Sequence, residues 1–104
     1  IAGLKIVSEI TAEEADYYNL PVKQGVTITP MKNSPAAKAG LRNYDIIQTV
    51  NGHKVTSGYD LQDCMFGCKV GDEVTVEVVR IPRRAGEAVR QFKYRIKLDG
   101  DGAK

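Results

Sequence analysis

The clearest periodicity in the chain lies near its C-terminal end. Phe92, Tyr94, Ile96 and Leu98 alternate with Gln91, Lys93, Arg95 and Lys97, and a period of two puts the apolar set on one face of a strand. Val74, Val76 and Val78 repeat the pattern in a strand that follows a Gly71-Asp72 turn. The β-branched run Gly25-Val26-Thr27-Ile28-Thr29 predicts another strand, and Pro30 to Asn33 predicts a turn. Asp45 to Val50 predicts a further strand, with Asp45 ordering the turn before it. Asn51-Gly52 is a tight-turn signal, and His53-Lys54-Val55 reads as the short return strand. Ile1 to Ile10 reads as an extended start containing Leu4, Ile6 and Val7. Ile81 to Ala88 is expected to be a connection, and residues 99–104 a flexible tail or linker.

Helical segments are short and marked by their ends. Thr11-Ala12-Glu13-Glu14 has the form of a capping box, with a helix running to about Tyr18 and stopping before Pro21. In Ser34-Pro35-Ala36-Ala37-Lys38-Ala39-Gly40-Leu41, Ser34 caps, Pro35 suits the first helical position and Gly40 terminates. Ser57 caps a third helix with Asp60 in its first turn; Leu61 and Met65 share one face, and Gly67 ends it. Strands and helices that do not alternate predict an α+β fold: a small, partly open β-barrel or sandwich of five to six short strands capped by two to three short helices. One domain, residues 1–98, accounts for all of it.

Composition narrows the possible functions. The chain has 104 residues, 42% hydrophobic and 27% charged, which is globular rather than disordered. Fifteen Lys and Arg against 13 Asp and Glu leave a net charge of +2, too little for a dedicated nucleic-acid binder. No apolar stretch is long enough to predict a membrane span. A start at Ile1 rather than methionine suggests a segment of a longer protein or a processed product. Cys64 and Cys68 are too few for a disulfide framework or a four-ligand zinc site. They are expected to be buried free thiols packing like small apolar residues, with a redox or metal role as the alternative.

Catalysis finds little support. His53 follows the Asn51-Gly52 turn, where an exposed polar residue needs no explanation, and no nucleophile elbow accompanies it. Glu13 with Glu14 and Asp60 with Asp63 belong to surface helices, and no glycine-rich phosphate loop is present. The segment is read as non-catalytic, without cofactor or metal. Arg80, Arg83, Arg84, Arg90, Lys93, Arg95 and Lys97 crowd one hairpin. They are expected to form a solvated face that discourages edge-to-edge aggregation. Contact with phosphate or anionic lipid is the rival reading, and it predicts steeply salt-dependent binding.

Binding is where the residues become specific. Asn33-Ser34-Pro35-Ala36-Ala37-Lys38-Ala39-Gly40-Leu41, then Asp45-Ile46-Ile47 and Val50-Asn51-Gly52, resembles the signature of a PDZ domain. Leu20-Pro21-Val22, Gly25-Val26, Leu61 and Val70-Gly71-Asp72-Glu73-Val74 keep the pattern, over residues 3 to 98. The element order is similar to the permuted bacterial type, above all the PDZ domains of HtrA-like serine proteases.

The resemblance implies capture of hydrophobic C-terminal or extended polypeptide segments by strand addition. It implies a carboxylate-binding loop at Gly3, Leu4, Lys5 and Ile6, in the place of the family's Gly-Leu-Gly-Phe pattern, with Ala2-Gly3-Leu4-Lys5, one residue earlier, as the alternative. A peptide-pairing strand would follow at Ile6, Val7 and Ser8. Leu4, Ile6, Gly58, Leu61, Gln62 and Met65 would line the groove. Lys5 stands where the family usually has glycine, so its side chain would either hinder the loop or add attraction to the carboxylate. The resemblance also implies a regulatory role in a parent serine protease, an extracytoplasmic location and a homo-oligomeric parent. A scaffold or secretion-apparatus module with no attached protease is the alternative.

Overall fold

The computed structural model describes residues 3–20, 23–69, 71–82 and 87–98. Among them, six strands form one antiparallel sheet accompanied by three short helices. In chain order these are β1 (Leu4–Glu9), α1 (Ala12–Tyr17), β2 (Val26–Pro30), α2 (Pro35–Ala39), β3 (Asp45–Val50), β4 (His53–Lys54), α3 (Gly58–Phe66), β5 (Glu73–Arg80) and β6 (Arg90–Lys97). The sheet runs β1-β2-β3-β5-β6, with β4 paired to β3. β1 and β6 are its two ends and do not meet, so the barrel-like curl expected from the strand pattern is an open sheet.

Alternation in β3 explains why both faces are covered. Ile47 points into the larger core with Val26, Ile28, Val50, Val76 and Ile96, roofed by Ala36 of α2 and Leu61 of α3. Ile46 points the other way, into a smaller cluster with Val79, and Ala15 and Leu20 close over it. Each fully buried Ile or Val contributes about 1.5–3 kcal/mol relative to exposure, so the sheet centre holds the fold together. The alternation predicted for β6 is present: Phe92 and Tyr94 pack on the larger core, Ile96 and Leu98 belong to it, and their neighbours are exposed.

The helix ends follow local chemistry. Thr11 Oγ1 accepts from the Glu14 N–H at 3.0 Å, and Glu14 Oε1 accepts from the Thr11 N–H at 3.1 Å, which is a complete capping box. Ser34 Oγ accepts from Ala37 N–H at 3.2 Å. Gly40 ends α2 at φ 116°, and a Cβ there would stand 3.0 Å from the Tyr94 ring.

Three expectations need correction. Pro30 is the last residue of β2 rather than the first of a turn, because it lies opposite Leu4 at a position where the ladder needs no N–H from it. Arg80 is not on the solvated face of the hairpin. Its guanidinium sits 4.5 Å over the Phe92 ring and donates 2.8 Å hydrogen bonds to both carboxylate oxygens of Asp45. It also donates to the Tyr94 hydroxyl at 3.0 Å. Asp45 is 1% exposed, and it accepts from the Arg42 N–H at 2.9 Å as well, so it does order its turn. The hydrogen bonds to Asp45 hold the Arg80 pKa above its ordinary value. The cysteines are free, as expected, but half-buried rather than fully enclosed. Ala2, Arg83, Arg84 and the expected tail at 99–104 lie outside the described residues.

Candidate functional site

β1 pairs with β2 on one side only, and helix α3 packs beside it on the core face. The register decides which backbone groups of β1 remain available. Gly3 C=O accepts from the Met31 N–H at 2.7 Å, and Lys5 lies opposite Thr29. In an antiparallel ladder, residues that exchange hydrogen bonds with the partner strand alternate with residues that do not. Gly3 and Lys5 therefore face β2. Leu4 and Ile6, opposite Pro30 and Ile28, turn their N–H and C=O groups to the open edge. Pro30 fits because Leu4 asks nothing of its nitrogen.

The pattern breaks after Ile6. Ile6 pairs with Ile28 but Ser8 pairs with Thr27, so Val7 is an extra residue in a β-bulge. Val7 is 47% exposed. Beyond it the parity changes. Ile10 N–H bonds Gly25 C=O at 3.1 Å, which turns Ser8 toward β2 and the Glu9 backbone outward.

Gly3 starts this strand at φ 77°, and a Cβ there would stand 2.1 Å from Ser34 Cβ. Glycine is required twice over, by the left-handed backbone and by contact with the residue that caps α2. Lys5 is exposed on ordinary extended backbone, since it is absent from the positive-φ residues. The glycine usual in the family is therefore not needed for its conformation here.

Helix α3 opens at Ser57, whose side-chain oxygen accepts from the Asp60 N–H at 3.2 Å. Asp60 in turn accepts from the Thr56 hydroxyl at 2.5 Å and the Thr56 N–H at 3.0 Å. These bonds, the hydroxyl first, hold the Asp60 carboxyl below its ordinary pKa. A second link crosses to β1: Glu9 Oε2 accepts from the Gly58 N–H at 2.9 Å. A Cβ on Gly58 would lie 3.4 Å from Ile6 Cδ1, so the helix start and the strand middle touch.

The predicted site residues are thus brought together in one region, in different roles. Leu4, Ile6 and Met65 are half-buried and pack against the larger core. Leu61 is 2% exposed and belongs to the core itself, under the junction rather than at its mouth. Gln62 is exposed on the same helix, and Ser8 is exposed on the strand. Glu9, Ser34 and Pro30 were not among the predicted site residues. Only the proline carries a local signal, and reading it requires the register. Among the described residues no three His, Cys, Asp or Glu side chains gather to hold a metal ion. No described helix is long and apolar enough to cross a membrane.

The family model for the PDZ domain matches residues 9–94. The chain belongs to the PDZ domain family. The matched span begins at Glu9, so Gly3 to Ser8 lie just before it. The chain is 38% identical over 91 residues to the chloroplastic Protease Do-like 1 of Arabidopsis thaliana, covering 77% of this chain and 20% of that protein. It is 35% identical over 72 residues to a probable periplasmic serine endoprotease DegP-like of Bartonella henselae, covering 69% and 14%. It therefore spans about a fifth or less of these relatives' length. The crystal structure of the HtrA3 PDZ domain bound to a phage-derived ligand, FGRWV, superposes with a TM-score of 0.65 at 24% identity, covering 93% of this chain and 83% of that one. The PDZ fold expected from the sequence is the fold observed.

Proposed function

We propose that this PDZ domain captures hydrophobic C-terminal or extended polypeptide segments at the β1 edge, as the non-catalytic recognition module of an HtrA-like serine protease. The single observation that carries the reading is the outward aim of the Leu4 and Ile6 backbone groups on an edge strand beside α3. An incoming strand exchanges hydrogen bonds with these groups. The terminal carboxylate lies at Gly3 to Ile6, where the Leu4 and Ile6 amides donate and the exposed Lys5 ammonium adds attraction. The last apolar side chain enters a groove walled by Leu4, Ile6, Gly58 and Met65, floored by Leu61 and rimmed by Gln62. Met65 makes that wall deformable and tolerant of several apolar ends.

The bulge at Val7 limits regular pairing to the ligand's last few residues, with Ser8 beyond the break. The relative named as a probable periplasmic serine endoprotease supports a parent of that kind and an extracytoplasmic location, and the chloroplastic Protease Do-like 1 supports a protease parent.

Fluorescence anisotropy with labelled peptides ending in Val, Leu, Ile or Phe tests the reading, each with a free and an amidated terminus. Free termini are expected to bind at roughly micromolar affinity. Amidated ones should bind about tenfold weaker or less, since charge-assisted bonds are lost. Equal binding of the two forms would contradict capture by the terminus. Unaltered affinity in Met65→Glu would contradict the pocket.

A further inference from the structure

A cavity of about 570 Å³ opens where the turn after α2 meets the end of β5 and the start of β6. Leu41, Ile81 and Pro82 give it an apolar seat, and Arg42, Arg80 and Arg90 give it donors. Glu87 is the one carboxylate among its described lining residues. None of the residues proposed for peptide capture lines it, so the cavity stands apart from that reading.

A guanidinium carries five N–H donors, and those of Arg80 are unequally used. Its Nε bonds Asp45 Oδ1, while Nη2 serves Asp45 Oδ2, the Tyr94 hydroxyl and the Gly40 carbonyl. Nη1 has no partner among the described residues, and no described side-chain nitrogen without a partner is buried. That edge of the guanidinium is therefore open. Arg42 and Arg90 are exposed and have no ion-pair partner among the described residues. Arg90 also lies directly opposite Arg80 in the ladder, where like charges repel. Three guanidinium groups face two carboxylates, Asp45 and Glu87, so the excess charge is positive.

Part of this arrangement is set before any ligand arrives. Asp45 Oδ2, which holds Arg80, also accepts from the Arg42 N–H at 2.9 Å, and the Arg42 carbonyl accepts from the Asp45 N–H at 3.2 Å. The Tyr44 N–H bonds the Ile28 carbonyl at 2.8 Å, and the turn is held firmly enough to keep Tyr44 at φ 67°. One buried carboxylate thus positions the guanidinium of one arginine and the backbone of another. A site arranged in advance loses less freedom on binding.

We propose that this cavity binds an organic oxyanion, a phosphate or carboxylate group carried on an apolar body. Arg42, Arg90 and the open edge of Arg80 hold the charged group, whose oxygens a guanidinium fork matches. Leu41, Ile81 and Pro82 seat the body. Glu87 opposes the ligand.

The test follows backbone amide resonances of the full chain during titration, in phosphate-free buffer of low salt. The probes are phenyl phosphate, benzoate, inorganic phosphate and the neutral benzyl alcohol. Phenyl phosphate or benzoate should shift the amides of Arg42, Asn43, Ile81 and Arg90, with a Kd of about 1 mM. The tighter of the two names the oxyanion. Inorganic phosphate should bind about threefold weaker or less, and benzyl alcohol should leave these amides unmoved. Arg42→Gln with Arg90→Gln should weaken binding about tenfold, Glu87→Gln should tighten it about twofold, and Lys93→Gln with Lys97→Gln should leave it unchanged. Shifts spread equally over Lys93, Arg95 and Lys97 would overturn the site, as would unaltered affinity in the double arginine variant. Inorganic phosphate binding as tightly as phenyl phosphate would overturn the apolar seat. The map on the parent needs no substitution, so it decides the site even where a variant disturbs the fold.

Discussion

The sheet ends in two edges, and they are built in opposite ways. β6 pairs with β5 over its whole length, from Arg90 opposite Arg80 to Lys97 opposite Glu73, without irregularity. Its outward positions carry Gln91, Lys93, Arg95 and Lys97, and its inward face is packed beside α2. β1 is interrupted by a bulge, has a single exposed lysine in its first turn of pairing, and shares its open side with α3. Lysines and arginines on an edge repel another strand, whereas an edge of apolar residues and bare backbone invites one. A sheet with two ends can thus offer one and guard the other.

The guarded side should be the costlier to break. Arg80 ties β3 to β5 and β6 through Asp45, Phe92 and Tyr94. Arg80→Met leaves a buried carboxylate with one remaining backbone partner, and should cost about 3 kcal/mol in urea unfolding. A loss under about 1 kcal/mol would show that the pair adds little over an apolar contact. Gly3→Ala strikes the offered side. The overlap with Ser34 and the positive φ together should cost about 2 kcal/mol and displace the start of β1, weakening peptide binding while β6 is left intact.

Acid should act on the offered side through Asp60. The folded Asp60 pKa is depressed below its ordinary value of 3.8. Its contribution is therefore present above that value and lost as pH falls through the lower, folded one. The amides at the start of α3 should exchange faster over that window, and Asp60→Asn should abolish the change. The smallest effect on stability is expected from replacing Lys93, Arg95 and Lys97 by threonine, within about 0.5 kcal/mol. Light scattering should nonetheless report self-association of that variant at high concentration. A monomeric variant would remove the guarding role from these charges.

How far the chain could be read in advance follows from the range of each interaction. Caps, the Asn51-Gly52 turn and the alternation of β6 depend on neighbours a few residues apart, and they stand where the pattern placed them. The Arg80–Asp45 pair spans 35 positions and exists because β3 and β5 lie side by side, so a count of basic residues assigned Arg80 to the solvent. The candidate site was legible in its parts, Gly3 to Ser8 and the α3 face. Its geometry was not. Whether Leu4 or Lys5 turns its amide outward depends on which residue meets Pro30, and that follows only from the paired register. Glu9 reaching Gly58 across 49 positions belongs to the same class.

The most direct test of the offered edge is amide hydrogen exchange, measured residue by residue with and without an apolar-terminated peptide. Leu4 and Ile6 amides should slow markedly on binding. Lys5, already facing Thr29, and the amides of β6 should stay as they were. Protection that appears along β6, or leaves Leu4 and Ile6 exchanging freely, would contradict the account.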